Sequence, residues 1–174
     1  MIRVVITGGP STGKTSLINS LKNNGFNVFN EAARKVIQQQ LISKTNKVPW
    51  DDVEGFSKLV LSKQIDDFNS ATNNLIFYDR GIPDIVGYMN HGRKKIFNKL
   101  KYSCLLNRYN NVFILPPWKE IYTTDNERRE SFEEAELIYS QIKKAYLLSG
   151  YKPILVPFDS IKNRMNFILN KLGE

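Results

Sequence analysis

The chain has 174 residues, with 25 Lys and Arg against 17 Asp and Glu, so it carries a formal net charge of +8. A chain of this size can bury about 70% of its unfolded surface without staples, and one domain spanning 1–174 is expected. A single Cys and a single His exclude an internal disulfide and a Cys/His zinc site, and no run nears the roughly 18 apolar residues of a membrane span.

The first element is the apolar run Ile2 to Ile6, a strand by its β-branched content. It leads directly into Gly8-Gly9-Pro10-Ser11-Thr12-Gly13-Lys14-Thr15, which has the spacing G-x-x-x-x-G-K-[ST]. Glycines let the backbone wrap with its N–H groups inward, and a helix opening near Gly13 adds unpaired amides and a positive dipole end. That arrangement suits the phosphates of a nucleoside triphosphate, with the binding segment running from Gly8 through Ser16. Lys14 reaches the β and γ phosphates, and the Thr15 hydroxyl is a candidate ligand for Mg2+. The helix itself, Thr15 to Leu21, ends near Asn24-Gly25.

A second strand covers Asn27 to Phe29, and helices follow over Glu31 to Ser43 and, after the break at Pro49, over Asp51 to Thr72. The third strand, Leu75 to Tyr78, delivers Asp79-Arg80-Gly81 to the carboxyl edge of the sheet, where open α/β sheets bind ligands. Asp79 is the candidate partner of Thr15 in holding the metal, or an acceptor of a proton from an attacking hydroxyl. The alternative is that the triplet only turns the chain or caps the next helix. Glu31 and Arg34 share one face at a helix start. Glu31 is either a base or a holder of substrate hydroxyls, or half of an exposed ion pair. Asp84 caps or opens the helix containing Tyr88, or serves function; the residues leave both open.

The fourth strand is Val112 to Leu115 and the fifth Ile154 to Val156, bracketed by Pro153 and Pro157, which assigns it to a sheet edge. Helices are expected over Ser131 to Ser149, stopping at Gly150, and over Ile161 to Leu172. Strands that are continuously apolar and separated by helices make the fold α/β with a parallel sheet. The polar stretch from Pro116 to Glu130 is a candidate lid, near 116–131. Its Arg128 and Arg129 could offset charge on a transferring phosphoryl group, against a solvated helix start. The aromatic residues Trp118, Tyr122 and Tyr139 read as core packing before acceptor pocket. Apart from Arg93-Lys94-Lys95, Lys99 and Lys101, the basic residues are scattered, so nucleic acid is not favoured as a partner. The chain starts on its first strand, leaving no room for a leader, and a cytoplasmic location is expected.

Taken together, Ile6 to Thr15, Glu31-Ala32-Ala33-Arg34, Asp79-Arg80-Gly81, Pro116-Pro117-Trp118 and Asp125 to Arg129 resemble a family of small predicted ATPases. That family looks related to the nicotinamide riboside kinase domain of bifunctional NAD-biosynthesis proteins. It is related more remotely to thymidylate and deoxynucleoside kinases, whose strand-end acidic–Arg pair resembles Asp79-Arg80. The resemblance implies a P-loop NTPase fold with five parallel strands in the order 2-3-1-4-5, flanked by helices. It also puts Pro157 in the loop bordering adenine and Arg128 in the lid. The Arg-Glu-Pro of thymidylate kinases is absent, since Ala32 follows Glu31.

The function these readings imply is ATP–Mg2+-dependent phosphoryl transfer to a small, nucleoside-like metabolite. Lys14, Asp79, Glu31, Arg80 and Arg128 would carry the chemistry. The alternative is an ATP-binding or ATP-hydrolysing switch without a small-molecule acceptor. The guanine-reading Asn-Lys-x-Asp does not follow the fourth strand, which favours adenine.

Overall fold

The computed structural model describes residues 1–122 and 131–174. Strand β1 (Ile2–Gly8) carries Val4, Val5 and Ile6, all fully buried. A strand this apolar needs cover on both faces, and the two-residue period of a strand divides the work. Val4 and Ile6 pack with Leu17, Ile18 and Leu21 of α1 (Lys14–Asn23) and with Met165 and Ile168 of α7 (Ile161–Leu172). Val5 faces the opposite way, toward Ile138, Ile142 and Tyr146 of α6 (Phe132–Leu148). Truncating one of these large aliphatic side chains to Ala would cost about 2–5 kcal/mol.

The remaining strands are β2 (Asn27–Phe29), β3 (Leu75–Asp79), β4 (Asn111–Leu115) and β5 (Ile154–Leu155). They form one parallel sheet in the order β2-β3-β1-β4-β5, as the resemblance implied. Register sets the functional edge: Ile6 lies opposite Asp79, Phe29 opposite Tyr78, and Gly8 opposite Leu115. The carboxyl ends of β1, β2 and β3 are therefore level, and the residues that leave them share one rim.

A second helical layer lies beyond β2 and β3. It consists of α2 (Ala32–Ile42), α3 (Val53–Ser70), α4 (Ile82–His91) and α5 (Asn98–Leu106), joined through Val36, Leu61, Ile82, Met89 and Leu100. Asp52 caps α3 by accepting from the Gly55 amide at 2.8 Å, and Ser131 caps α6 by accepting from the Glu134 amide at 3.2 Å. Helix α4 packs so closely on α6 that a Cβ on Gly87 would stand 2.7 Å from the Ile142 Cα.

Two details differ from the sequence expectations. Helix α5 was not expected: Tyr102, Leu105 and Leu106 are exposed beside buried Leu100 and Cys104, which blurs the apolar period. Strand β5 is one residue shorter than expected, although the Val156 amide still donates to the Ile114 carbonyl at 3.0 Å. Within the candidate lid, Lys119–Ile121 form one 3-10 turn. Asp125 to Glu130, with Arg128 and Arg129, lie outside the described residues.

Candidate functional site

The loop between β1 and α1 is shaped by two glycines that side chains could not replace. Gly8 has φ 154°, and a Cβ there would meet the Leu115 carbonyl oxygen at 2.6 Å. Gly13 has φ 76°, and its Cβ would meet the Arg164 guanidinium at 2.7 Å. The loop closes on itself through the Thr12 hydroxyl, which donates to the Gly9 carbonyl at 3.2 Å. From Gly13 the chain enters α1, whose N-terminal end, with its positive dipole, points back at the loop. Thr15 is half-buried and Ser16 exposed at this end.

Lys14 is buried, and its ammonium pairs with the Asp79 carboxylate while standing 3.8 Å from Glu31 Oε2. Asp79 comes from the last position of β3, and Glu31 is the residue capping α2 after β2. Arg80 completes the cluster: its Nε donates to Glu31 Oε1 at 2.8 Å and its Nη1 to the Gly8 carbonyl at 2.9 Å. Arg34 donates to Glu31 Oε2 at 3.1 Å from the exposed side. Of the expected site residues, the fold thus gathers Lys14, Glu31, Asp79 and Arg80 into one buried cluster. Glu31 is engaged on both oxygens, so its pairing is not merely the exposed i, i+3 kind.

Electrostatics follow from that crowding. Burial alone would raise the Glu31 pKa, but the charges of Arg80, Lys14 and Arg34 outweigh it and hold the carboxyl at about 2, below its usual 4.5. Glu31 is therefore ionised throughout the neutral range. Burial works against the charge on Arg80, yet Tyr88, Glu31, Asp84 and Asp79 around it push its pKa well above the ordinary value. It stays a cation.

Beside this cluster lies a recess lined by Phe29, Asn30, Ala32, Gln64, Asp67, Tyr78, Asp79 and Arg80. Gln64 is buried, and its Oε1 has no hydrogen-bond partner among the described residues. An orphaned buried acceptor loses about 1–3 kcal/mol, and the recess that Gln64 lines has room for about one water to satisfy it. Nothing in the local sequence pointed to Gln64. It lies in the middle of α3, and only the packing of α3 over β3 brings it to the rim.

The other side of the loop is aromatic. Trp118, after β4, stacks on Phe158, after β5, at 5.2 Å between centroids. Arg164 of α7 lies with its guanidinium 5.7 Å from the Trp118 ring and donates from Nη1 to the Thr12 carbonyl at 3.0 Å. Pro157 precedes Phe158 and is exposed. Sequence reading missed Arg164 because the carbonyl it binds, that of Thr12, lies 152 residues upstream.

Among the described residues no group of three or more His, Cys, Asp or Glu is arranged to hold a metal. Magnesium does not need one: it keeps several waters and is bound through one or two carboxylates plus substrate phosphates. The hard oxygens of Thr15 and Asp79 at the loop suit that chemistry.

Comparison with known proteins agrees with this geometry. A family model described as an AAA domain matches residues 3–164. No curated protein matches the chain by sequence. Among solved structures, the deoxyadenosine kinase of M. mycoides with bound dATP is similar at a TM-score of 0.66 and 15% identity, covering 100% of each chain. The same enzyme with product dCMP and a flexible dCDP gives 0.66 at 16% identity, over 99% of this chain and 98% of the other. With bound dCTP the score is 0.54 at 16% identity. These likenesses are likenesses of fold.

Proposed function

The chain belongs to the AAA-domain family, and on that premise we propose that it is an ATP-dependent kinase transferring the γ-phosphoryl group to a hydroxyl of a small, nucleoside-like acceptor. The observation that carries the reading is the position of Glu31. It leaves β2, reaches Lys14 at the phosphate loop, and is clamped by Arg80 beside a polar recess that holds the orphaned Gln64. A nucleotide switch needs the loop and the metal-side Asp. It has no need of an ionised carboxylate held beside the loop lysine by a second buried cation.

In this reading the acceptor binds over the rim where β2 and β3 end, since the recess itself has room for only about one water, with Asn30, Gln64 and Asp67 as the nearby polar groups. Glu31 accepts a hydrogen bond from the acceptor hydroxyl and aims its oxygen at the loop. A carboxylate with so low a pKa is a weak base, but phosphoryl transfer through a loose transition state asks mainly for positioning and charge. Lys14 and Arg80 supply the charge, with Arg128 as the lid contribution. Thr15 and Asp79 would hold Mg2+, which would neutralise charge on the phosphates when bound. Pro157, with Trp118 and Phe158, borders the adenine. One domain, working in the cytoplasm on a soluble metabolite, completes the reading. Nicotinamide riboside and deoxynucleosides head the acceptor classes, from the sequence resemblance and the fold likeness respectively.

The test is ADP release from ATP and magnesium across a panel of nucleosides, deoxynucleosides and nicotinamide riboside, with Lys14→Ala as control. Acceptor-stimulated release that disappears in the variant is the expected result. Saturable ATP binding with no acceptor stimulating turnover would overturn the proposal in favour of a switch.

A further inference from the structure

Arg80 has a left-handed backbone, φ 71°, a conformation disfavoured for a residue with a side chain and found where surrounding structure over-determines it. The surroundings here are specific. The Arg80 amide donates to the Ile6 carbonyl at 3.0 Å, and its Nη1 reaches Asp84 Oδ1 at 3.3 Å. Asp84 is itself 2% exposed, and its carboxylate takes three further donors. The Gly81 amide reaches Oδ2 at 2.9 Å, the Tyr146 hydroxyl reaches Oδ2 at 2.6 Å, and the Thr7 hydroxyl reaches Oδ1.

Capping α4 requires only the Gly81 amide. The two hydroxyls are extra, and they come from far away in the chain: Thr7 from the end of β1 and Tyr146 from α6. Tyr146 is fully buried, and its hydroxyl also limits position 81, since a Cβ on Gly81 would stand 2.8 Å from it. Two neutral donors on opposite oxygens fix the rotation of the carboxylate, so that Oδ1 stays toward Arg80. Burying a carboxylate is unfavourable unless its charge and lone pairs are matched; the matching cation here is the one that holds Glu31.

We propose that Asp84, locked by Tyr146 and Thr7, is a positioning residue that sets the Arg80 guanidinium against Glu31 and the phosphate loop. The proposal rests on the kinase reading for its effect on turnover, but not for its effect on Arg80. The chain of contacts runs from the last turn of α6 to the acceptor carboxylate, so a hydroxyl that touches no substrate governs where the acceptor is held.

The experiment uses the full chain with Tyr146→Phe, which deletes one hydroxyl and keeps the ring. Thr7→Val is the second variant, should the first fail to fold. Two readouts are needed. The side-chain Nε–Hε signal of Arg80 in 15N NMR, identified by its loss in Arg80→Lys, reports the bond to Glu31 directly. It is expected to broaden or disappear in Tyr146→Phe. Turnover with the best acceptor is expected to fall on the order of tenfold in kcat, as for a small misplacement of a catalytic group, with the KM for ATP within about twofold. The Arg80→Lys, Tyr146→Phe double variant should lose no more than Arg80→Lys alone, because both act through one group. An unchanged Arg80 signal in Tyr146→Phe, or losses in kcat that multiply in the double variant, would overturn the proposal. If the wild-type chain turns over no acceptor, the kinase reading fails, while the NMR result still decides the positioning of Arg80.

Discussion

The two flanks of the phosphate loop are built to different standards. On the β2–β3 side, Lys14, Glu31, Asp79, Arg80 and Asp84 are all buried or nearly so; Asp79 is paired with Lys14, and each of the others is tied to at least two partners. On the β4–β5 side, Trp118 and Phe158 meet through one tilted stack, with Phe158 56% exposed. The difference follows from the forces in use. Buried charges demand complete partners because an unmatched one is so unfavourable, and the geometry becomes narrow. Stacking is tolerant of angle and distance, enough to hold a flat base but not to aim a reacting oxygen. The strict flank is where bonds would change; the loose flank is where a handle would be gripped.

The largest break in this contrast is expected from Lys14→Ala. It removes charge from the phosphates and leaves Asp79 and Glu31 without their shared cation. Turnover should fall at least about a hundredfold, the scale for losing one key electrostatic group, and thermal unfolding should show a less stable chain, since breaking a buried pair costs about 3–5 kcal/mol. Arg80→Lys comes next. Lysine keeps the charge but loses the fork that joins Glu31 to the Gly8 carbonyl, so steady-state kinetics should show kcat down on the order of tenfold or more, with ATP affinity changed much less.

The pH dependence of stability sharpens the comparison further. The Glu31 carboxyl has its pKa lowered from 4.5 to about 2, so its pairing stabilises the fold fully above the unfolded value and loses that contribution as pH falls from about 4.5 through 2. The full contribution is about 3 kcal/mol. Denaturant unfolding at pH 6 and pH 3 should show a drop in the wild-type chain that is smaller by part of this amount in Glu31→Gln. An equal drop in both would mean that the clamp by Arg80 and Lys14 is weaker in solution than in the fold described above.

The smallest effects belong to the loose flank. Trp118→Ala removes the Phe158 stack and the face under Arg164, each worth about 1 kcal/mol. The KM for ATP should rise several-fold with kcat nearly unchanged. A collapse of kcat in this variant would erase the distinction between the flanks.

Much of the strict flank was legible in the sequence because Lys14, Glu31, Asp79 and Arg80 sit at or just past a strand end or in the loop. Apolar runs fix where the strands stop, and the first polar residues beyond them, Glu31 and Asp79-Arg80, fall on the binding edge by the geometry of parallel sheets. Proline at 153 and 157 similarly marked the edge strand. What stayed hidden depends on helix packing across long separations. Gln64 and Tyr146 sit within helices, where an amide or a phenol reads as surface or core, and their roles arise only when α3 covers β3 and α6 covers α4. Arg164 is hidden in the same way. Asp84 was visible as a cap but not as the counter-charge of Arg80, because its hydroxyl partners come from β1 and α6. Helix α5 was missed for a different reason: leucines on its exposed face erase the period that marks a helix.

In the proposed reaction Glu31 holds an acceptor hydroxyl in line with the γ-phosphoryl group bound at Lys14. Following the labelled γ-phosphoryl of ATP in the presence of a nucleoside acceptor tests it most directly. Label is expected in the nucleoside monophosphate, nearly all of it lost in Glu31→Gln while ATP binding persists. Label appearing only as inorganic phosphate, at a rate indifferent to both the nucleoside and Glu31→Gln, would contradict it.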